Sequence, residues 1–71
     1  MNAYPIILER AKDGGWSAVV PHLPGLLLAG DTREELLANA PAAIADHIDA
    51  LRDQRLPVPE PGEVALVEVA V

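Results

Sequence analysis

The 71-residue sequence contains no cysteine and only two histidines, which excludes disulfides and leaves too few ligands for a typical structural zinc site. A chain this short rarely buries enough apolar surface to be stable without a disulfide, a metal or a partner. Because the first two supports are missing, the composition predicts self-association.

Basic residues are also scarce: five Lys and Arg stand against eleven Asp and Glu, for a formal net charge of −6. Nucleic-acid binding depends on Lys and Arg contacts to phosphates, so no nucleic-acid partner is expected. A basic protein partner suits this charge better. Long apolar runs and a signal-peptide pattern are missing too, so we expect a cytoplasmic protein with no membrane-spanning segment.

The first half of the sequence alternates strand patterns with turn residues. Asp13-Gly14-Gly15 is typical of a hairpin connection, and Leu23-Pro24-Gly25 of a tight corner in which Gly25 takes a positive φ. Together these signals predict an antiparallel three-stranded meander. The predicted strands are residues 3–10, 16–20 and 26–29.

A helix is predicted over residues 33–53, where apolar side chains recur at spacings of three and four. Thr32 and Glu35 form a capping box at its start. In that box the Thr32 hydroxyl accepts from the Glu35 N–H, and the Glu35 carboxylate accepts from the Thr32 N–H.

Pro41 interrupts the helical pattern, at a cost of about 3 kcal/mol for the lost hydrogen bond and the crowded carbonyl. Either the helix continues with a kink near Leu37, or it breaks into two pieces around Asn39. The apolar row keeps its phase across Pro41, which favours the kink.

Residues 63–71 are predicted as a fourth strand, reached through a proline-rich connector over residues 56–62. A strand–helix–strand crossover is right-handed, which places strand 4 parallel to strand 1 in the order 3-2-1-4. The predicted fold class is therefore α+β, β-β-β-α-β, with one helix on one face of the sheet. Residues 1–71 are predicted to form one domain.

Neither face of the predicted sheet shows the apolar–polar alternation of a half-exposed sheet. One helix covers one face, so the second face or the edge of strand 4 is predicted to be an interface in a homodimer or higher oligomer. Strand propensity of β-branched residues is the competing explanation. The interface residues predicted on strand 4 are Leu66, Val67, Val69 and Val71.

The run from Gly14 to Glu35 resembles the N-terminal domain of HicB-type antitoxins. It carries the glycine pair, the Trp16 strand ending at Pro21, the Leu-Pro-Gly corner, and Gly-Asp-Thr before an acidic helix start. Tyr4, Asn39-Ala40, Ala43-Ile44 and the Pro-Val-Pro run at 57–59 extend the resemblance over nearly the whole chain.

This resemblance implies a fold related to part of ribonuclease H and a non-catalytic role, the binding and neutralising of a small, basic, RNA-cleaving toxin of the HicA type. Complete HicB antitoxins usually carry a C-terminal DNA-binding module. The sequence stops at Val71, at strand 4, so no DNA binding is expected. The alternative function is an orphan homo-oligomeric domain of the same fold without a toxin.

Catalysis, cofactor binding and metal binding are not expected. Glu35 is better explained as a capping residue than as a ligand of a two-metal nuclease, and Glu68 as a solubility charge. Asp46, His47 and Asp49 do not share one helix face, so they cannot ligate one ion together.

Candidate contacts for a basic partner lie in the hairpin turn, the Leu-Pro-Gly corner and the acidic helix start. Trp16 is explained equally well as a partner anchor and as core packing against the helix. The predicted partner-binding residues are Asp13, Trp16, His22, Leu23, Asp31, Glu34 and Glu35.

Overall fold

Three short strands are followed by one long helix in the computed structural model, which describes residues 2–71. The elements are β1 (Ile7–Arg10), β2 (Trp16–Val19), β3 (Leu27–Gly30) and α1 (Arg33–Asp53). The α+β class and the helix limits are confirmed. Met1 belongs to the predicted domain of residues 1–71 but lies outside the described residues, and the one-domain assignment stays a prediction.

The strands form an antiparallel sheet in the order β1-β2-β3, which confirms the predicted meander. The two connections depend on glycines in the left-handed region: φ is 92° at Gly14 and 91° at Gly25. A side chain at either position would strain the backbone, so the sharp reversals of the chain require glycine there.

The strands are shorter than the sequence predicts, or shifted by one residue. Residues 3–6 lie outside β1, because the ladder between β1 and β2 starts at the pair Ile7 and Val19. Pro21 has no N–H to extend the ladder beyond that point. Strand β3 starts and ends one residue later than predicted.

The helix begins with the predicted cap, with one correction. The Thr32 hydroxyl accepts from the Glu35 N–H at 3.1 Å, as expected, but the Glu35 carboxylate accepts from the Asp31 N–H at 3.3 Å rather than from Thr32. Helix α1 continues through Pro41, so the alternative of two separate pieces is wrong.

The helix ends in a Schellman motif built on a non-glycine residue. The Leu56 N–H donates to the Leu51 carbonyl at 2.8 Å, and the Arg55 N–H donates to the Arg52 carbonyl at 3.0 Å. Arg55 has a φ of 57°, the left-handed value that this motif requires. The turn aims the following chain away from the helix axis.

The hydrophobic core lies between α1 and one face of the sheet. The strand register aligns Leu8, Ala18 and Leu28 in a row across that face, and Ala18 and Leu28 are buried. Strand β3 meets the helix closely at Gly30, where an added Cβ would lie 2.8 Å from the Leu36 backbone nitrogen. The buried residues are Ala18, Val20, Leu23, Leu28, Leu36 and Ala40.

The predicted fourth strand, and with it the order 3-2-1-4, is not observed: residues 63–71 are all described, and none of them is in a strand. The connector explains the difference. Pro59 is held by Tyr4, whose hydroxyl donates to the Pro59 carbonyl at 2.6 Å, and Gly62 then packs against the His22 side chain between β2 and β3. The chain therefore crosses the end of the sheet and leaves the β1 edge unpaired.

Candidate functional site

An acidic depression of about 370 Å³ lies at one end of the sheet, between the β1–β2 hairpin and the junction of β3 with α1. The register pairs Trp16 with both Arg10 and Gly30, which brings these two connections side by side. Of the described residues that line the depression, three are acidic and none is basic. The lining residues are Ala11, Asp13, Gly15, Trp16, Ser17, Ala29, Gly30, Asp31 and Glu35.

Backbone hydrogen bonds hold two of the carboxylates in place. Asp13 accepts from the Gly15 N–H at 2.9 Å through Oδ1, and Glu35 accepts from the Asp31 N–H through Oε2. Each bond uses one of the two carboxylate oxygens, so the second can accept a hydrogen bond from a ligand. Asp31 and Glu34 are exposed beside them. The cluster can therefore attract a cationic side chain from a partner.

The structure divides the predicted partner-binding residues between the two ends of the sheet. Asp13, Trp16, Asp31 and Glu35 line the acidic depression. Trp16 is half-buried and packs against the core, which supports the packing explanation, while its role as a partner anchor stays a prediction. Glu34 lies next to Glu35 in the first helical turn.

His22 and Leu23 lie at the opposite end and do not join this cluster. Leu23 is 0% exposed and belongs to the core, so its side chain offers no surface to a partner. His22 is half-buried against Gly62, and its Nδ1 is buried without a hydrogen-bond partner among residues 2–71. Leu23 is therefore a core residue, and a partner contact at His22 stays a prediction.

An apolar row crosses the face of the sheet that the helix does not cover. Ile7, Val19 and Leu27 are aligned by the register and are 58%, 47% and 67% exposed. This row supports the expectation of an uncovered apolar face. It could have been found in the sequence by pairing the strands from their turns, because each residue occupies an outward position.

The four predicted interface residues lie in residues 63–71, outside the strands and the helix, a segment that we call the arm. Its large apolar side chains are exposed: Leu66 is 99% exposed and Val67 80%. Val69 and Val71 are exposed as well. A soluble chain rarely leaves such a run of apolar residues in water, so the arm is a candidate binding segment.

A second, apolar groove of about 640 Å³ runs between α1 and the segment that precedes β1. The sequence does not predict this groove, because its residues belong to two elements whose spacing depends on the tertiary fold. Among the described lining residues Arg52 carries the only charge. The groove is lined by Asn2, Ala3, Tyr4, Ile6, Leu37, Ala40, Pro41, Ile44, Ala45, Ile48, Arg52 and Val58.

The described part of the chain has no group of three His, Asp or Glu side chains arranged to hold a metal ion. Within the same residues, α1 lacks the continuous apolar length needed to cross a membrane. Four surfaces stand out among the described residues: the acidic depression, the apolar row, the groove and the arm.

Comparison of the chain with known proteins identifies its family. The model of the HicB-like antitoxin of bacterial toxin–antitoxin systems matches residues 4–70. The chain is 41% identical over 69 residues to Antitoxin HicB 2 of Photorhabdus laumondii, covering 93% of this chain and 48% of the antitoxin. It is 40% identical over 57 residues to a UPF0150 protein of Synechocystis, covering 80% and 72% of the two chains.

An uncharacterized 14.9 kDa protein of Haemophilus phage HP1 is 42% identical over 62 residues, which cover 84% of this chain and 46% of the phage protein. The chain thus spans about half the length of the phage protein and of the Photorhabdus antitoxin. The family match covers all the strands and the helix described above. This chain belongs to the HicB-like antitoxin family of bacterial toxin–antitoxin systems.

Proposed function

We propose that this domain is a non-catalytic antitoxin module that binds and neutralises a small, basic, RNA-cleaving toxin of the HicA type. The observation that carries the proposal is the acidic depression, where two connections present Asp13, Asp31 and Glu35 without an opposing basic lining residue among those described. A protein that cleaves RNA must hold a polyanion, so its substrate-binding surface is basic. The acidic end competes with RNA for that surface.

Membership of an antitoxin family supports a toxin as the partner, and the complex is expected in the cytoplasm, where a toxin of this type would meet its RNA. Charge complementarity would speed the association and make it sensitive to salt. Trp16, half-buried at the rim of the depression, supplies an apolar contact beside the charges.

We further propose that the domain associates with itself. The chain exposes 5709 Å² of surface, whereas a compact 7.5 kDa protein exposes about 4,200 Å². Most of the exposed large apolar side chains lie on the arm and on the apolar row. This observation also favours the alternative function, a homo-oligomeric domain that has no toxin partner.

The experiment that tests toxin binding is titration calorimetry with the protein that the neighbouring reading frame encodes, which the proposal expects to be short and basic. Replacing Asp31 and Glu34 with lysine should weaken binding at least tenfold, because the pair reverses the charge beside the depression without removing the cap at Glu35. The matched control replaces Asp46 and Asp53 with lysine, the same charge change on the exposed side of α1.

Equal weakening by both pairs would mean that only net charge matters and would overturn the acidic depression as the contact. If the neighbouring protein does not bind, and co-expression of this chain does not restore growth to cells that make it, the homo-oligomer without a toxin remains.

A further inference from the structure

We propose that the arm of one copy fills the apolar groove of a second copy, lying parallel to β1 and supplying in trans the fourth strand that the single chain lacks. The proposal deepens the self-association proposed above and rests on it. It needs no toxin, so its tests are independent of toxin binding.

The shape of the chain indicates that the arm belongs to an assembly. Its radius of gyration is 13.7 Å, whereas a compact chain of this length has about 11 Å. Two copies together carry an excess surface of about 3,000 Å², which falls within the range buried by obligate dimers. An arm that leaves one body and docks on another explains both excesses.

The path of the connector takes the arm away from the groove of its own chain. Tyr4 holds Pro59 beside the start of β1, and three residues later Gly62 packs on His22, beyond β2. Prolines at 57, 59 and 61 stiffen this path. To enter its own groove the chain would have to reverse direction immediately after crossing the end of the sheet.

The arm and the groove match in length and chemistry. Nine extended residues span about 30 Å. The groove follows α1 from Leu37 to Arg52, a helical length of about 22 Å. Alternation along the arm places Val64, Leu66, Glu68 and Ala70 on one side and Ala65, Val67, Val69 and Val71 on the other. Beyond Glu63 at its start, this second side carries no charge, so it can face the groove.

The backbone requirement is also met. Strand β1 is at an edge of the sheet, with β2 on one side only. A strand added along that edge would pair its N–H and C=O groups, as in other cases of strand addition between chains. Exchange of identical segments is a low-cost route to a dimer, since each copy both donates an arm and accepts one.

Charge favours the parallel direction. Helix α1 starts beside Gly30 and therefore ends near the start of β1, where Arg52 lines the groove. A parallel arm begins at that end with Glu63 and brings its carboxylate towards Arg52. An antiparallel arm would place Val71 there instead.

The test uses engineered cysteines, because the natural chain has none. Isotopically heavy chains carrying Ala45→Cys are mixed and refolded with light chains carrying Val67→Cys, then treated with a short bismaleimide. Both side chains are exposed in the single chain, so neither substitution disturbs the core. The expected product is a heavy–light dimer joined between positions 45 and 67, identified by peptide mass spectrometry.

The control replaces Ala50, also an exposed alanine of α1 but outside the groove lining, and should link to position 67 at least tenfold less. Equal linking from positions 45 and 50 overturns the groove as the docking site. A chain that carries both Ala45→Cys and Val67→Cys tests the alternative. A 45–67 link within one such chain would mean that the arm docks in its own groove, which overturns exchange.

Sedimentation separates this proposal from simple self-association. Val67→Asp should raise the dimer dissociation constant at least tenfold, whereas Glu68→Gln on the opposite side of the arm should leave it within about twofold. A wild-type chain that is monomeric at micromolar concentration overturns both proposals. A dimer that Val67→Asp leaves intact overturns the exchange alone.

Discussion

The sheet and helix α1, which we call the folded body, contain residues similar to those of the arm but in very different surroundings. Strand β2 and the arm both combine small and bulky apolar side chains, yet Ala18 is buried at 2% exposure while Leu66 is 99% exposed. What separates them is not strand propensity but the neighbours on each side: β2 has a strand at either edge and a helix above it. An apolar segment becomes a strand only where an open edge and a covering surface are both within reach.

The largest contrast is expected when one leucine is shortened in each region. Leu36→Ala removes a side chain that is 1% exposed and should lower the free energy of unfolding by about 2–5 kcal/mol, enough to unfold much of a domain this small. Leu66→Ala should change it by less than about 0.5 kcal/mol below the concentration of self-association. Urea unfolding followed by circular dichroism measures both, and similar losses would contradict the comparison.

Two glycines give a second contrast. Gly30→Ala places a Cβ against the Leu36 backbone, which cannot move without shifting the helix, and should cost about 1–3 kcal/mol. Gly62→Ala meets only the His22 side chain, at 2.6 Å, which can rotate away, so its cost should stay below about 1 kcal/mol. Thermal unfolding of both variants measures the difference, and the reverse order would show that the base of the arm is packed as tightly as the core.

The smallest effect is expected where the body passes into the connector. Arg55→Gly should raise the free energy of unfolding by up to about 1 kcal/mol, because glycine adopts the left-handed conformation without steric cost but gains entropy when unfolded. Gln54→Gly, one residue earlier at a φ of −86°, has no such strain to relieve and should destabilise slightly. Stabilisation by both substitutions would show that the Schellman turn is not the cause.

The body was predictable because its signals are local. Gly14 and Gly25 mark reversals that only glycine makes easily, and the Thr32 cap fixes the first residue of α1. The partner of the Glu35 carboxylate, Asp31 instead of Thr32, depends on a rotamer choice that the pattern does not contain. Leu23 looked like a turn residue open to contact, but the corner folds its side chain into the core.

The fourth strand was not predictable in the same way. Its pattern over residues 63–71 fits a strand, but pairing requires a neighbour, and the path through Pro59 and Gly62 leads the chain past the β1 edge. The acidic depression was predicted in part, because its carboxylates stand next to turn residues. That two connections meet there follows from the register, which pairs Trp16 with Gly30.

The hydrogen bond from Tyr4 to Pro59 has a practical consequence, because the chain holds one tyrosine and one tryptophan. The phenol sits at the base of the arm, and the indole sits at the rim of the acidic depression, at opposite ends of the sheet. Each chromophore would therefore report on a different proposed association. Selective excitation of the indole would follow the proposed toxin docking, and difference spectra of the phenol band would follow the proposed exchange of the arm.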